Sequence, residues 1–404
     1  MDLEQQLKVI KSGTAQIIPE ELLVKKLKKK SSLNIKLGVD PTAPDIHLGH
    51  AVPLRKLRQF QDLGHHVTLI IGDGTALIGD PSGRNTTRPQ LTQDQIKVNA
   101  QTYIDQAFKV LDKEKTDVRY NSEWLLSLDL KGLLELTANF TVARILERDD
   151  FHNRYTKNQP ISLHEFLYPV MQAYDSVMIK ADVELGGTDQ LFNLLAGREL
   201  MEKMDMEPQV CLTLPLLEGT DGVQKMSKTY GNYIGVSESA SEIFGKVMSI
   251  PDELMSRYFR LASTVPVEKI EEIEAGLKNN SLHPNDIKRM LAKNIAAAYH
   301  NDEEAEEAEA RFDKVHKAKE VPDDIPEYKT QLEVNDEGKV YLAKLLVDVK
   351  LANGTGDARR LIDGGGVKIN SVALAPKSYN IEPEAIDGSI VQVGKRKFVK
   401  IVKG

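Results

Sequence analysis

The chain has 404 residues, of which 41% are hydrophobic and 28% are charged, and its formal net charge at pH 7 is −7. This length exceeds one ordinary hydrophobic core, so we expect two or three domains. The single cysteine, Cys211, excludes an intramolecular disulfide and any cysteine-rich zinc site. No run approaches the apolar length of a membrane helix, and residues 1–30 do not resemble a signal peptide, so we expect a cytoplasmic protein with no membrane partner.

Five segments alternate between strand and helix patterns. Residues 35–39, 67–72 and 210–217 are apolar runs typical of buried strands, whereas residues 51–63 and 187–203 have helical patterns. This alternation predicts an α/β fold with a parallel sheet, in which ligands bind at the carboxyl ends of the strands.

A histidine pair follows the first apolar run. Asp45 is suited to cap a helix that begins near Ile46, which places His47 and His50 on one face of its first turn. Unpaired backbone N–H groups and the helix dipole favour an anion there, so two imidazole donors could bind a triphosphate. Gly49 leaves room for a flat base. An isolated pair with this spacing is more often a surface or core pair without a ligand.

Polar side chains share one face of a predicted helix in the middle of the chain. Tyr168, Gln172 and Asp175 fall at i, i+4 and i+7, beside apolar neighbours. The residues alone fit a lined pocket and a solvated helix face equally well.

A glycine-containing segment follows at residues 186–190, Gly-Gly-Thr-Asp-Gln. It predicts a loop and a helix start, where glycine allows close backbone approach and Asp189 could accept hydrogen bonds from ribose hydroxyls. Taken alone, the segment is more simply an ordinary capped turn.

Two lysines lie in a loop after the third apolar run. Gly219 and Gly222 predict a pliant loop that leads into residues 225–229, Lys-Met-Ser-Lys-Thr, with ammonium charges at Lys225 and Lys228. Either lysine alone is more often a solvated surface residue. The histidine and lysine motifs in this order on one chain are hard to obtain by chance, so together they indicate nucleotide chemistry.

The remaining segments are mostly helical up to a linker. Residues from about 89 to 160 interrupt the strand–helix alternation and are predicted to be a helical insertion, and residues 237–319 are predicted to be helical. The acidic run at 302–309 is typical of a solvated helix face. Prolines at both ends of residues 321–326 predict a linker.

The C-terminal end differs from the rest in charge. Residues 339–404 carry twelve Lys or Arg and six Asp or Glu, a net charge of +6, which leaves −13 for the remainder. Two short helices are predicted at 340–351 and 355–362, the second capped by Thr355, with glycines and short strands after them. This end is typical of a polyanion-binding surface, and a generic basic surface is the alternative.

With these motifs the chain resembles a class I aminoacyl-tRNA synthetase, and specifically the bacterial tyrosyl-tRNA synthetases. The resemblance covers essentially the whole length and includes Gly79-Asp80-Pro81-Ser82-Gly83 and the basic C-terminal module, which is similar to the alpha-L RNA-binding module. It implies the following organisation: a Rossmann-type catalytic domain at 1–230, a helical insertion and dimer interface at about 89–160, an α-helical anticodon-binding domain at 231–320, a linker at 321–338, and an α+β alpha-L type RNA-binding domain at 339–404.

The resemblance also implies a reaction. A homodimer would activate L-tyrosine with ATP and Mg²⁺ to tyrosyl-adenylate and pyrophosphate, and would then transfer tyrosine to the 3′ end of tRNA(Tyr). No tightly bound cofactor and no protein-held metal is expected. The residues implied for the ATP phosphates are His47, His50, Lys225, Lys228, Thr42, Arg84 and Arg88. Those implied for the base and ribose are Gly49, Gly187 and Asp189. Those implied for tyrosine are Tyr168, Gln172, Asp175, Asp80, Gln190 and Asp40. Those implied for tRNA are Arg359, Arg360, Lys368, Lys395, Arg396 and Lys397.

Within the implied tyrosine site, different residues are suited to the two ends of the substrate. Asp80, Tyr168 and Gln172 would hold the ammonium group, which needs acceptors. Asp175 would accept a hydrogen bond from the phenol, and Gln190 would lie near the carboxylate. That phenol acceptor would stay unpaired if phenylalanine bound instead.

Two positions depart from the pattern of relatives. Lys36 stands where many relatives have a second tyrosine near the phenol, two residues before Gly38, so a different phenol partner is expected and remains unassigned. Gly74 stands where relatives often have a bulky residue, which suggests a larger pocket floor.

Two alternatives to this function remain open on the sequence alone. A tryptophanyl-tRNA synthetase shares the fold but usually lacks a basic C-terminal module. An RNA-binding protein derived from a synthetase would act without catalysis, and the intact histidine and lysine motifs argue against it.

Overall fold

The computed structural model describes residues 1–41, 46–80, 92–316, 325–330, 332–394 and 397–403. Five predicted site residues lie outside the described residues: Thr42, Arg84, Arg88, Lys395 and Arg396. The chain divides into two compact units, Met1–Glu306 and Glu307–Gly404. None of the helices in the described ranges is long and apolar enough to cross a membrane.

The first unit is built on a six-stranded sheet. Its strands are β1 (Gln16–Ile18), β2 (Asn34–Val39), β3 (His66–Ile71), β4 (Thr116–Tyr120), β5 (Val183–Gly187) and β6 (Val210–Leu214). They lie in the order β1-β6-β5-β2-β3-β4, with β2 to β6 parallel and β1 antiparallel to β6. Every residue of β6 is buried, including Cys211. A central strand buried on both faces is what a parallel sheet covered by helices requires.

Fifteen helices are described as beginning in this unit, and the last of them, α15, ends beyond Glu306. They are α1 (Leu3–Lys11), α2 (Glu20–Lys29), α3 (Leu48–Asp62), α4 (Gln93–Ala107), α5 (Ser122–Leu125), α6 (Leu130–Thr137), α7 (Val142–Ile145), α8 (Asp149–Thr156), α9 (Leu167–Ile179), α10 (Leu191–Lys203), α11 (Ala240–Met248), α12 (Met255–Ala262), α13 (Val267–Lys278), α14 (Pro284–Tyr299) and α15 (Asp302–His316). Helix α3 packs on β2, β3 and β5, and its buried Leu54, Leu57 and Phe60 supply apolar surface to the core.

The structure corrects three predicted elements. The segment predicted as a mostly helical insertion also contains β4, which pairs in parallel with β3 and forms one edge of the sheet. Helix α3 begins at Leu48 with His47 as its N-cap, two residues later than predicted. Residues 186–187, predicted as a loop, are the end of β5. Each difference arises because strand pairing and cap geometry depend on tertiary neighbours as well as on local pattern.

The second unit has an α+β architecture. Its strands are β7 (Glu327–Thr330), β8 (Val340–Tyr341), β9 (Val367–Ile369), β10 (Val372–Ala373), β11 (Asn380–Ile381), β12 (Ile390–Val393) and β13 (Lys397–Lys403), and its helices are α16 (Leu342–Asp348), α17 (Thr355–Asp363) and α18 (Pro383–Ile386). Five strands form one sheet in the order β10-β9-β12-β13-β7, and β8 pairs with β11. The N-cap of α17 is Gly354 and Thr355 is its first residue, so the predicted cap was wrong by one position.

A buried lysine in the first unit makes the free energy of unfolding depend on pH. Lys56 is 4% exposed and donates from Nζ to the carbonyls of Val9, Ile10 and Ser12 at 2.7–3.1 Å. Burial lowers its pKa from 10.5 to about 7. Between these values the unfolded chain binds more protons than the folded chain, so the stability contributed at this site rises as pH increases from about 7 to 10.5.

We expect the stability of the native chain to rise relative to a Lys56→Met variant over this range, with a slope of up to about 1.4 kcal/mol per pH unit. Urea unfolding at pH 7, 8.5 and 10 measures the difference. Fluorescence of Trp124, the single tryptophan, reports on the first unit. Parallel stability curves for the two proteins would contradict the expected linkage.

Candidate active site

The carboxyl ends of four parallel strands bring the predicted catalytic segments to one edge of the sheet. Asp40 directly follows β2, Thr75 lies shortly after β3, Thr188 follows β5, and residues 215–218 follow β6. Parallel strands end at a common edge, so segments distant in sequence meet there.

The histidine motif forms the N-terminal end of α3. The rings of His47 and His50 stack with centroids 3.7 Å apart and an interplanar angle of 23°. The backbone N–H of His47 donates to Nδ1 of His50 at 3.4 Å. A side chain at Gly49 would place its Cβ 3.0 Å from the His47 ring, so glycine at this position lets the ring lie against the helix backbone.

Both histidines are neutral at pH 7. Burial, then the neighbouring His50 and Lys228, lowers the pKa of His47 from 6.5 to about 3. Desolvation and then Lys228 lower the pKa of His50 to about 4, although the residue is partly open to solvent. Neutral imidazoles still donate N–H groups, so the pair can bind phosphate oxygens without adding positive charge to the free site.

The lysine motif is held by Asn232, which the sequence analysis missed. The Asn232 side-chain amide donates to the carboxylate of Asp221 at 2.9 Å, and its oxygen accepts from the backbone N–H of Ser227 at 2.8 Å. A side chain at Gly219 would place its Cβ 2.2 Å from the Asn232 side chain. Met226, inside the motif, is 5% exposed. The loop predicted to be pliant is therefore anchored at its centre, and its two lysines flank the anchor.

Backbone hydrogen bonds connect the lysine segment to the histidine segment. The N–H of Leu48 donates to the carbonyl of Ile234 at 2.9 Å, and the N–H of Val236 donates to the carbonyl of Ile46 at 3.1 Å. Lys228 Nζ lies 5.9 Å from the centroid of the Tyr233 ring. The histidine and lysine motifs, 175 residues apart in sequence, are thus held next to each other by backbone hydrogen bonds.

A second cluster of polar side chains contains Tyr168 and Asp80, two of the three residues predicted for the ammonium group, whereas the third, Gln172, donates to Glu184. The hydroxyl of Tyr168 donates to Asp40 at 2.9 Å, and Thr75 donates to the other oxygen of Asp40 at 2.8 Å. Asp80 accepts from Gln190 at 2.9 Å. Asp80 also pairs at 3.1 Å with Arg148, a 4% exposed guanidinium that the sequence analysis missed.

The predicted phenol acceptor, Asp175, lies deep in the first unit. It is 3% exposed and accepts from Trp124 Nε1 at 2.8 Å and from Asn121 Nδ2 at 3.3 Å. Burial raises its pKa from 3.8 to about 6, opposed mainly by the charge of Lys36. Asp175 is therefore mostly ionised at pH 7 and can accept a hydrogen bond. The sequence did not lead us to predict Trp124 or Asn121 as site residues. Trp124 could have been found, because it is the single tryptophan of the chain.

The structure resolves the two positions that depart from relatives. Lys36 is completely buried and donates to Glu184, Ser176 and the carbonyl of Gln172, which uses all three hydrogens of its ammonium group. Lys36 therefore has no hydrogen left for a phenol. At Gly74, a Cβ would lie 3.0 Å from Asn121 Oδ1, so the glycine accommodates close packing and does not enlarge a pocket floor.

A cavity of about 370 Å³ lies beside the predicted base and ribose segment. It is lined by Thr188, Pro215, Leu216, Glu218, Val223, Lys225 and Arg257. A Cβ at Gly187 would lie 2.4 Å from Asp189 Oδ1, so glycine is needed for the turn that presents this carboxylate. The cavity is therefore bordered both by Thr188, which lies between Gly187 and Asp189, and by the first lysine of the motif.

The second unit contains the predicted tRNA contacts that the structure describes. The guanidinium of Arg359 lies 5.7 Å from the ring centroids of both Tyr341 and Tyr379, and its Nε donates to the Tyr341 hydroxyl at 2.7 Å. Arg360 has a side chain that is 82% exposed. Lys368 is half-buried on β9 and Lys397 is exposed at the start of β13.

The parallel sheet, with histidine and lysine motifs meeting at its carboxyl edge, defines a class I aminoacyl-tRNA synthetase. A model of the class I tRNA synthetases for tryptophan and tyrosine (W and Y) matches residues 28–317. Full-length relatives named tyrosine–tRNA ligase distinguish the tyrosine enzymes from the tryptophan enzymes as the group to which this chain belongs. That of Carboxydothermus hydrogenoformans is 51% identical over 99% of this chain and 98% of its own, and that of Aquifex aeolicus is 51% identical over 100% of both. The chain belongs to the bacterial tyrosyl-tRNA synthetases, a family of tyrosine–tRNA ligase enzymes, which confirms the predicted resemblance.

A solved structure supports the fold. The tyrosyl-tRNA synthetase of Archaeoglobus fulgidus, complexed with L-tyrosine, has a TM-score of 0.64 and 24% identity, and the match covers 76% of this chain and 99% of that one. The first unit therefore has a Rossmann-like catalytic fold, as predicted. The tryptophanyl and non-catalytic alternatives are both set aside by the full-length ligase relatives.

Proposed function

We propose that the chain activates L-tyrosine with ATP to tyrosyl-adenylate, with release of pyrophosphate, and transfers tyrosine to the 3′ end of tRNA(Tyr). The observation that carries this assignment is a buried carboxylate, Asp175, placed in the same unit as the joined histidine and lysine motifs. The carboxylate of Asp175 suits a phenol hydroxyl, and the side chains of the histidine and lysine motifs suit a triphosphate. Tyrosine–tRNA ligase relatives over the full length support the same pair of substrates.

In the activation step the tyrosine carboxylate attacks the α-phosphorus of ATP. This nucleophile is already ionised, so the protein contributes positioning and stabilises the negative charge that grows on the phosphates. His47 and His50 donate neutral N–H groups, and Lys225 and Lys228 supply charge. Thr42, Arg84 and Arg88, outside the described residues, complete the proposed phosphate contacts.

Tyrosine is held at its two ends. Asp175 accepts from the phenol, while Asp40, Asp80, Tyr168 and Gln172 surround the ammonium and Gln190 lies near the carboxylate. Asp80 is already paired with Arg148, so the negative charge of Asp80 is compensated before substrate binds. Gly49, Gly187 and Asp189 are assigned to the base and ribose of ATP.

Magnesium enters this scheme with ATP. Within the described ranges, no group of three or more His, Cys, Asp or Glu side chains is placed to hold a metal ion. Mg²⁺ in nucleotide sites keeps several waters and binds mainly to substrate phosphates. Mg²⁺ would offset phosphate charge together with Lys225 and Lys228. This role is compatible with a cleft that supplies hydrogen-bond donors and positive charge for the phosphates.

The basic second unit is proposed to contact tRNA. The guanidinium of Arg359, which lies against two tyrosine rings, supplies a positive charge suited to a phosphate. Arg360, Lys368 and Lys397, with Lys395 and Arg396 outside the described residues, are assigned to the phosphate backbone. Residues 231–320 are assigned to anticodon binding, and 339–404 to the alpha-L type domain after a linker at 321–338.

We further propose that the enzyme is a cytoplasmic homodimer. Several large apolar side chains within residues 89–160 are 60–73% exposed: Val98, Leu126, Leu130, Leu134, Val142 and Tyr155. Apolar surface concentrated in one segment is typical of a protein interface. A second copy of the chain would cover it.

The test is amino-acid-dependent exchange of radiolabelled pyrophosphate into ATP, with tyrosine, phenylalanine and tryptophan measured side by side. Exchange with tyrosine alone is expected, because only the phenol satisfies Asp175. Exchange that favours phenylalanine or tryptophan, or no exchange with any of the three, would contradict the proposed substrate. Charging of tRNA(Tyr) by the full chain then tests the second step.

A further inference from the structure

The completely buried pair Lys36–Glu184 contacts Gln172, a proposed ammonium-binding residue, at two points. Both charged side chains are 0% exposed, and Lys36 Nζ lies 2.7 Å from Glu184 Oε1. The side-chain Nε2 of Gln172 donates to the same Oε1 at 3.2 Å. Lys36 also donates to the backbone carbonyl of Gln172 at 3.1 Å. The pair therefore holds both the side chain and the backbone of one pocket residue.

Glu184 is surrounded by donors. Oε1 accepts from Lys36 and Gln172, and Oε2 accepts from Ser176 at 3.1 Å and from Gln209. Each oxygen of this buried carboxylate accepts from two donors, one of them an ammonium, so Glu184 acts here as an acceptor only. Only the NH₂ end of an amide can pair with an acceptor.

This chemistry decides which way the Gln172 amide faces. Its nitrogen is bound to Glu184, so its oxygen is turned away from the buried pair. Gln172 itself is only half-buried, whereas Glu184 is fully buried. Among the described residues, no donor contacts that oxygen. An ammonium group needs an acceptor, and the reversed amide would present two N–H groups to it instead.

We propose that the Lys36–Glu184 pair is a positioning device that fixes the side-chain amide of Gln172 with its oxygen towards the ammonium group of tyrosine. The inference rests on the proposed function, in which Gln172 binds that ammonium. It gives Lys36 a role in tyrosine recognition without any contact with the phenol. It also adds Glu184, on β5, to the residues that determine affinity for an α-amino acid.

The test compares two ligands that differ only at the ammonium group: L-tyrosine and 3-(4-hydroxyphenyl)propionate. Calorimetric binding to the full chain gives a discrimination ratio, the affinity for tyrosine divided by that for the analogue. In a Lys36→Met/Glu184→Met variant, the amide can face the ammonium correctly only by leaving its NH₂ group without an acceptor. We expect the ratio to fall about tenfold or more, because an unpaired buried donor is costly.

A Glu184→Gln variant is the matched control. The ammonium of Lys36 can pair only with the oxygen of the new amide, so that oxygen still lies where Oε1 lies now and still accepts from Gln172. The new NH₂ group then lies at the Oε2 position, where Gln209 can accept from it once its amide reverses, because Gln209 Oε1 has no hydrogen-bond partner among the described residues. We expect the ratio to stay within about twofold of the native value. Retention in this variant and loss in the double variant together support an orienting role.

Other results would overturn the inference. An unchanged ratio in the double variant, or equal weakening of both ligands, would show that the pair acts only on stability. A reduced ratio in Glu184→Gln would show that the carboxylate charge acts directly. Replacing both charges by apolar side chains is often tolerated by a fold, and Lys36→Leu/Glu184→Leu provides a second packing if the first variant does not fold. Thermal unfolding followed by Trp124 fluorescence checks each protein.

A Gln172→Leu variant distinguishes ammonium binding by Gln172 from orientation of Gln172 by the buried pair. If its ratio is unchanged, Gln172 does not bind the ammonium and the proposed function is wrong at this residue. If its ratio falls but that of the Lys36→Met/Glu184→Met variant does not, the ammonium role stands and only the orienting role of the pair fails.

Discussion

A Lys228→Ala variant is expected to lose turnover in tyrosine activation by about 10²-fold or more, with little change in the affinity for tyrosine. Lys228 is close enough to the histidine pair for its charge to lower the pKa of both imidazoles. Its ammonium can therefore meet charge that develops on the phosphates during the reaction. A donor used mainly in the transition state affects kcat far more than ground-state binding, and losses of this size are typical for one such donor.

Pyrophosphate exchange gives kcat, and equilibrium dialysis gives the affinity for tyrosine. Lys246→Ala is the matched control, because Lys246 Nζ also lies over the Tyr233 ring, at 4.7 Å, but pairs with Glu238 outside the lysine motif. That variant should keep near-native turnover. Equal losses of turnover and tyrosine affinity in Lys228→Ala would argue against a transition-state role.

An Asp175→Ala variant is expected to lose most of the preference for tyrosine over phenylalanine. Asp175 is the buried acceptor for the phenol, and phenylalanine leaves such an acceptor unpaired. Tyrosyl-tRNA synthetases are themselves a standard example of this discrimination, about 10⁵-fold against phenylalanine. We expect the ratio of kcat/KM values for the two amino acids to fall about 10²-fold or more.

Trp124→Phe is the graded control for this experiment. It removes the 2.8 Å hydrogen bond to Asp175 Oδ1 but keeps the carboxylate, so the ratio should fall much less than in Asp175→Ala. An unchanged tyrosine-to-phenylalanine ratio in Asp175→Ala would remove Asp175 from the phenol site.

Lys36 is a residue whose partners the sequence left open. Because many relatives have tyrosine at this position, we predicted a different phenol partner and left it unassigned. The structure gives all three ammonium hydrogens of Lys36 to Glu184, Ser176 and Gln172. Glu184 lies 148 residues away and has no local signal, so no pattern around Lys36 could reveal the pair.

Local sequence pattern was sufficient to predict those features whose geometry is set by the spacing of residues along the chain. The apolar runs became β2, β3 and β6, and the i, i+4, i+7 spacing placed Tyr168, Gln172 and Asp175 on one helix, α9. The histidine and lysine motifs were recognisable because their chemistry is carried by residues adjacent in sequence. These features, with the resemblance they support, were enough to predict the α/β fold and the reaction.

Tertiary structure alone decided how those segments are held. Arg148 and Asn121 act through partners 47 to 68 residues away, and a hydrogen bond between distant residues leaves no periodicity in the sequence. The partners of Asn232 are only 5 and 11 residues away, but they lie in an irregular loop that also has no periodicity. The edge strand β4 was hidden for the same reason, since its half-exposed pattern becomes a strand only by pairing with β3. Sequence determined which functional groups are present, and packing of the folded chain determined their partners, protonation and orientation.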